Sequence, residues 1–448
     1  MSSVVGRGTA WLAGVTLILK GVGVLSVLLI LNHLTVYEYG FAELVITAVP
    51  LLSLFLLPGL STTVVADMGI ARAAGDLSRV KGLFLSFIRL QLVCAIFVWA
   101  IMFFGAHAIA VWYGNENAGL LFKIISFSFL VSPFRVAAQT LQSVYFRFRQ
   151  QSVQTFLEEG WKLALLVLFF FVLHMRVDGL ITALVLAPVL ALLSILLPLW
   201  RIDPLLWKTK EEKISFFYFL KYHGKWGIFS TYLGTVSKNI RPWIIKIFLG
   251  TEAVGIYAVV QGLIGHTSSL VPLDSVVKPM FPQFVHDRPR LYRVIATAIK
   301  YELLGYFLMS AAAAIFSPFL IGLFFPQYLP AVPLFQVMLL MLVSTAFDAI
   351  FSGVFYALQA QRNLFWASTY KLLLTVVVMP PFLYFFGLFG IAYAVIIINY
   401  LYVWERYLAL KRLMPGFRLR VRDFFAVDEY DQFVIKKFSQ VLIRIFRI

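Results

Sequence analysis

Among the ionisable side chains within long apolar stretches, eight invite chemistry by their type and placement. Lys20, Lys238, Arg241, Arg135 and Lys278 are basic; Asp274, Asp348 and Glu43 are acidic. A charge at the centre of a bilayer costs about 3 kcal/mol or more unless it faces a polar cavity or a partner. Each therefore either lines a polar path or neutralises another. Lys20 and Lys238 sit at the middle of their stretches, and Arg241 follows Lys238 at i+3, one helix face on. Positive charge gathered at mid-depth suits the binding of an anion. The alternative is helix-to-helix ion pairing with Glu43, Glu158, Glu159, Asp274, Glu302 or Asp348. Lys278 follows Asp274 by four residues, a spacing at which the two can neutralise each other. Asp348 reads either as an ion-coupling carboxylate or as the partner of Arg135. Lys123, Lys162, Lys225, Lys246, Lys300, Lys371 and Arg406 lie near the ends of stretches and are expected to snorkel to the headgroups, with Arg89 intermediate.

Other chemistries find no support in the sequence. The six histidines show no paired metal spacing, and the single cysteine, Cys94, rules out an intrachain disulfide and a thiolate cluster. Gly21-Val22-Gly23 imitates a fragment of a dinucleotide fingerprint, but no strand precedes it and close helix packing explains it better. There is no P-loop lysine motif. No enzyme activity, cofactor or bound metal is expected.

The elements that must carry these charges follow from composition. Of 448 residues 61% are hydrophobic and 13% charged, with a mean hydropathy of +0.89. A soluble domain carries about a quarter charged residues, so a bilayer is the natural solvent. Twelve windows read as spans, roughly 10–32, 41–66, 82–106, 120–145, 156–175, 180–200, 224–248, 255–282, 295–318, 333–357, 367–387 and 391–410. In lipid each must satisfy its backbone internally and is therefore a helix. No cleavable leader is expected before the first. The net charge of +17 is spread over loops rather than gathered on one face, which argues against nucleic acid. One set of alternate loops, with the tail, holds 24 Lys and Arg, against Arg176 alone in the other set. That bias predicts cytoplasmic N and C termini. The fold expected is an all-α polytopic membrane protein of twelve transmembrane helices.

The chain also repeats. Glu38-Tyr39-Gly40-Phe41 follows the first window and Val254-Gly255-Ile256-Tyr257-Ala258 the seventh, so that Gly40 and Gly255 hold equivalent places. Gly179 and Gly390 echo each other at nearly the same separation. Two parallel six-helix bundles are expected, 1–200 and 222–410, with a binding site where they meet. Residues 201–221 form a basic cytoplasmic linker, and 411–448 a basic tail whose last fifteen residues read as an amphipathic helix on the membrane surface.

The Gly8-x-x-Trp11 opening, the Glu38-Tyr39-Gly40-Phe41 turn and its looser copy at 254–258 resemble the polysaccharide-exporting flippases of the multidrug/oligosaccharidyl-lipid/polysaccharide exporter superfamily. The resemblance implies flipping of a lipid-linked oligosaccharide, such as an O-antigen unit on polyprenyl pyrophosphate, from the inner to the outer leaflet by alternating access. It further implies a multi-pass protein of a bacterial or archaeal cytoplasmic membrane. Its partners would be the glycan carrier, membrane lipids and polysaccharide polymerase or assembly proteins, and the chain would act as a monomer. Peptidoglycan-precursor flippases and multidrug exporters of the same superfamily are the alternatives. A membrane glycosyl-polymerase or ligase fits less well, because it would need a large outer loop.

Overall fold

The computed structural model describes residues 19–57, 60–113, 116–200, 202–214, 225–271 and 277–420. The Gly8-x-x-Trp11 opening, Asp274 and the tail beyond Arg420 lie outside them. Among the described residues there is no β-strand, as expected where backbone groups in lipid are satisfied within each segment.

Each apolar window carries helix. Helices α1 (Leu19–His33), α2 (Val36–Leu52), α3 (Leu60–Ala73), α4 (Leu77–Tyr113), α5 (Glu116–Val144), α6 (Phe148–Val167) and α7 (Val177–Trp200) occupy the first six. A short α8 (Pro204–Lys208) follows. Then come α9 (Lys225–Asn239), α10 (Arg241–Leu249), α11 (Thr251–Ser268), α12 (Arg288–Phe324), α13 (Ala331–Met338), α14 (Met341–Ala357) and α15 (Gln361–Leu413). Six helical segments among the described residues are long and apolar enough to cross a membrane; the α13–α14 pair, bent by 43°, makes a seventh. Phe104, Phe307 and Phe385 are more than 70% exposed to the surroundings. Aromatic surface of that extent needs lipid to cover it. The chain is an integral, multi-pass membrane protein.

Several windows are not the unbroken rods that their hydropathy predicts. The second divides into α2 and α3 where Leu57 turns left-handed (φ 53°). The seventh breaks at Ile240, between α9 and α10. There Pro242 has no N–H to give the Lys238 carbonyl, its helical acceptor four residues back. The eleventh and twelfth share one hydrogen-bonded run, α15, which turns at Gly387 (φ 55°, ψ −131°). The chain doubles back there so tightly that a Cβ on Gly390 would stand 2.0 Å from the Phe382 carbonyl oxygen.

Contacts divide the chain into two compact units, Met1–Ile256 and Tyr257–Ile448. The first has a core of Leu60, Val64, Phe87, Leu141 and Leu206 among others. The second is built around Phe281, Leu291, Phe351, Phe355 and Leu410.

Within the first unit, the Glu38-Tyr39-Gly40 turn has an explicit physical basis. Thr35 caps α2: its side chain accepts from the Glu38 N–H, and the Glu38 carboxylate accepts from the Thr35 N–H at 2.9 Å. This capping box satisfies two donors left over at the helix start. Glu38 also pairs with Arg176 at 2.9 Å, and His33 stacks on Phe170 at 4.3 Å. The lone basic residue of the sparsely charged loops thus fastens the end of α1 to the α6–α7 turn.

Gly40 and its repeat partner Gly255 meet face to face. A Cβ on Gly40 would lie 2.1 Å from the Thr251 carbonyl oxygen, and one on Gly255 would lie 2.1 Å from the Val36 carbonyl oxygen. Val36 and Thr251 are separated along the chain by the same interval as the two glycines, so the contact is reciprocal under the repeat.

The linker is docked along much of its described length. Ser78 Oγ donates to the Lys210 carbonyl at 2.8 Å, and the Glu212 N–H donates to the Ser78 carbonyl at 3.2 Å. Lys81 Nζ donates to the Trp207 and Thr209 carbonyls at 2.8 and 2.7 Å. Ser86 Oγ reaches the Ile214 carbonyl at 3.1 Å, and Arg89 pairs with Glu211 at 3.0 Å. A stretch expected to be a basic tether is a strap laid along α4.

Candidate functional site

The break between α9 and α10 brings the first group of candidates together. Both helices pack against α2, and Glu43 on α2 lies within electrostatic reach of Lys238. Lys238 and Arg241, expected to share one helix face, part at the break instead. Lys238, near the end of α9, is exposed, whereas Arg241 opens α10 and is only 5% exposed. The helix restarts at Arg241, beside Pro242, and the two basic residues on either side of the break differ in burial.

Among the described residues Arg241 has no ion-pair partner, and its Nε is buried without a hydrogen-bond acceptor. A guanidinium cannot shed its charge as a lysine can, and leaving one buried without a counter-ion is costly. Lys20 is half-buried on α1.

Two other candidates are found in ion pairs. Arg135 on α5 binds Glu158 on α6 at 2.7 Å, one of the acidic partners offered by the sequence. Asp348 on α14 binds Arg406 on α15. Arg406, expected to snorkel, is instead fully buried: it also donates to Ser352 Oγ at 2.9 Å and Tyr402 Oη at 3.2 Å, with its guanidinium carbon 5.2 Å from the Tyr402 ring centre. The reason is local. Tyr402 stands one turn before Arg406 on the same helix, and Asp348 and Ser352 are one turn apart on α14. Two helices thereby present a ready polar slot facing inward. Burial of a charge this deep is tolerated because Asp348 and these hydroxyls receive its hydrogen bonds.

Lys278 opens the 3-10 turn Lys278–Phe284. Its stem lies over Gly353, where a Cβ would come 2.7 Å from Lys278 Cγ. Its suggested neutralisation by Asp274 lies outside the described residues. Of the residues expected at the headgroups, Lys371 is held 4.3 Å over the Tyr402 ring and Lys162 pairs with Glu159. Sequence reading missed the Arg406 slot and a group of glutamines at the α5–α6 corner. For Arg406 a usable signal existed: Tyr402 and Arg406, like Asp348 and Ser352, recur at i,i+4 within apolar helix. Among the described residues no group of three or more metal-ligating side chains occurs.

Comparison with known proteins agrees with this frame. A family model described as polysaccharide biosynthesis protein matches residues 5–285. Among curated protein sequences none matches the chain. The fold is similar to the inward-facing conformation of a multidrug resistance MATE family transporter of the MOP superfamily, at 14% identity and TM-score 0.77, covering 88% of this chain and 94% of that one. It is also similar to the lipid II flippase MurJ in its inward closed conformation, at 14% identity and TM-score 0.71, covering 97% of each. The Vibrio cholerae MATE transporter VcmN in its bent form matches at 13% identity and TM-score 0.59, covering 90% of this chain and 98% of the other. These structures are of transporters and a flippase, not of enzymes, in keeping with a sequence that holds no catalytic motif.

Proposed function

The chain belongs to the polysaccharide biosynthesis protein family, and from that premise we propose that it flips a polyprenyl-pyrophosphate-linked oligosaccharide from the inner to the outer leaflet of a cytoplasmic membrane. The cargo is a sugar chain on a diphosphate, and neither part crosses hydrocarbon unaided. Burying about two unpaired negative charges would cost many kcal/mol. A transporter lowers that cost with fixed cations in a hydrated cavity that opens to one side at a time. The single observation that carries this reading is Arg241, a guanidinium buried at a helix break with no counter-ion among the described residues. Lys238, three residues before it on the other side of the break, and Lys20 on α1 are assigned to the same phosphate-gripping set, with Glu43 holding Lys238 when no substrate is bound. Arg135 and Lys278 are assigned to the path at its flanks.

In this reading the two six-helix halves, 1–200 and 222–410, are parallel repeats, and both termini are cytoplasmic. Alternating access rocks one half against the other. An inside-negative potential favours outward movement of an anion by about 2.3 kcal/mol per net charge per 100 mV. The chain works as a monomer and hands its product to a polysaccharide polymerase.

The test is reconstitution of the full chain into vesicles carrying a fluorescent polyprenyl-diphosphate saccharide, with leaflet exposure followed by a membrane-impermeant quencher. Arg241→Ala should fold in normal yield and lose flipping, and Lys20→Ala and Lys238→Ala should weaken it. Transport of ethidium with no movement of the lipid-linked sugar would instead assign the chain to drug export. Normal flipping by all three alanine variants would end the cationic-cavity mechanism.

A further inference from the structure

The first unit carries an opening with charged residues at its mouth, at the corner where α5 hands over to α6 and α7 ends. A cavity of about 490 Å³ lies there, lined by Gln142, Arg147, Arg149, Gln150 and the α7 residues Pro198 and Leu199. Phe146 makes the corner by adopting a left-handed conformation (φ 54°), which turns Arg147 and Arg149 outward, where both are exposed. Arg147 forms no ion pair among the described residues.

The inner wall is the unusual part. Gln142 is 1% exposed, and neither its amide nitrogen nor its amide oxygen has a hydrogen-bond partner. Gln150 Oε1 is buried without a partner as well, and Gln154, one turn further along α6, repeats the pattern with both amide atoms. Buried polar groups are ordinarily bonded, and each that is not calls for an explanation. Gln142 and Gln150 line the cavity beside two arginines; the guanidinium groups and Gln142 Nε2 offer donors to an anion, while the unpaired oxygens of both glutamines can only accept, as from a headgroup hydroxyl. The donors suit a phosphate: guanidinium groups at the mouth and an amide N–H at the back.

The neighbourhood says what bears that phosphate. A wholly apolar cavity of about 400 Å³ lies on the α4 side of the same two helices, lined by Phe134, Leu141, Leu196, Leu199 and Trp207 among others. Leu199 lines both cavities, and Leu141 and Gln142 are neighbours in sequence, each facing one of them. Phe134 and Leu196 are about half exposed, open to the hydrocarbon. Trp207 is of the residue type that marks the headgroup level. A charged cradle and an apolar groove that share a wall at this level match the two ends of one lipid.

We propose that the two cavities seat a single anionic glycerophospholipid, its phosphate held by Arg147, Arg149 and Gln142 and an acyl chain lying in the groove beyond Leu199. The occupant is a resident of the bilayer and not the transported sugar carrier, so the inference stands apart from the flipping reading.

The experiment uses the full chain purified in detergent, with thermal unfolding followed during titration by dioleoyl phosphatidylglycerol, dioleoyl phosphatidylcholine or inorganic phosphate. Phosphatidylglycerol should raise the unfolding temperature saturably, and native mass spectrometry should count one retained molecule. Phosphatidylcholine and inorganic phosphate should do neither. R147Q/R149Q should weaken the response at least ten-fold without altering the lipid-free unfolding temperature. Q142L should weaken it too, while raising the lipid-free temperature, because it removes an unpaired buried amide. An equal response to inorganic phosphate, or an R147Q/R149Q protein that responds like the parent, overturns the proposal. Loss in the arginine variant with full retention in Q142L overturns it in favour of general surface attraction.

Discussion

Replacing Gly40 or Gly255 by alanine tests how closely α2 and α11 are required to cross. The added methyl group would stand 2.1 Å from a carbonyl oxygen of the opposing helix, where ordinary contact begins at 3.4 Å. The crossing must therefore open until the methyl reaches that contact distance. The obstacle is backbone, so no side-chain rotation relieves it. Forcing extra volume into a packed site costs about 1–3 kcal/mol, and rigid backbone on both sides puts these substitutions at the upper end, about 3 kcal/mol each. Reciprocity adds a sharper expectation. The separation that accommodates a methyl at 40 also accommodates one at 255, so the double variant should cost little more than either single, a coupling of about 2 kcal/mol in the compensating sense. Thermal unfolding of purified single and double variants measures this. Strictly additive losses, or single variants as stable as the parent, would refute the reciprocal crossing.

Three further outcomes follow from particular contacts. Arg406→Met removes one member of a buried pair and should cost about 3–5 kcal/mol, most of it regained in Asp348→Leu/Arg406→Met; equal unfolding temperatures for the single and double variants would count against the pair. Gly387→Ala forces a side chain into a backbone conformation open essentially to glycine and should cost about 1–3 kcal/mol, read as reduced folded yield on size-exclusion chromatography. Lys81→Met withdraws the donor to the Trp207 and Thr209 carbonyls and should speed proteolytic cutting between 207 and 214 severalfold, with cutting elsewhere unchanged; an unchanged cleavage rate would mean the strap is held without it.

Much of the architecture was legible because hydropathy reports burial in lipid directly. Every expected window carries helix, and the internal echo singled out Gly40 and Gly255 as an equivalent pair. What the windows could not report is where a helix breaks for a backbone reason. The signals stood beside the windows, in Pro58-Gly59 after Leu57 and in Pro242 after Ile240, but a window average over about twenty residues smooths them away. Charge partners were hidden for another reason. Which helix faces which is a matter of tertiary packing, so Arg135 had Glu158 on the following helix and the distant Asp348 as equally admissible partners. Asp348 in turn found Arg406 on the next long helix. The glutamines at the α5–α6 corner carried no sequence signal, since a glutamine near a helix end is ordinarily solvated. The strap left no trace in the sequence because its bonds run mainly to main-chain carbonyls, which every residue owns.

That strap changes where force enters the first unit. A loose tether would deliver any pull from downstream chain to the last turn of α7, where the helix ends. With Ser78, Lys81 and Ser86 gripping residues 207–214, the anchorage moves to the opening turns of α4. A tug on Ile214 becomes a torque on a 37-residue helix, applied near one end, where leverage is greatest.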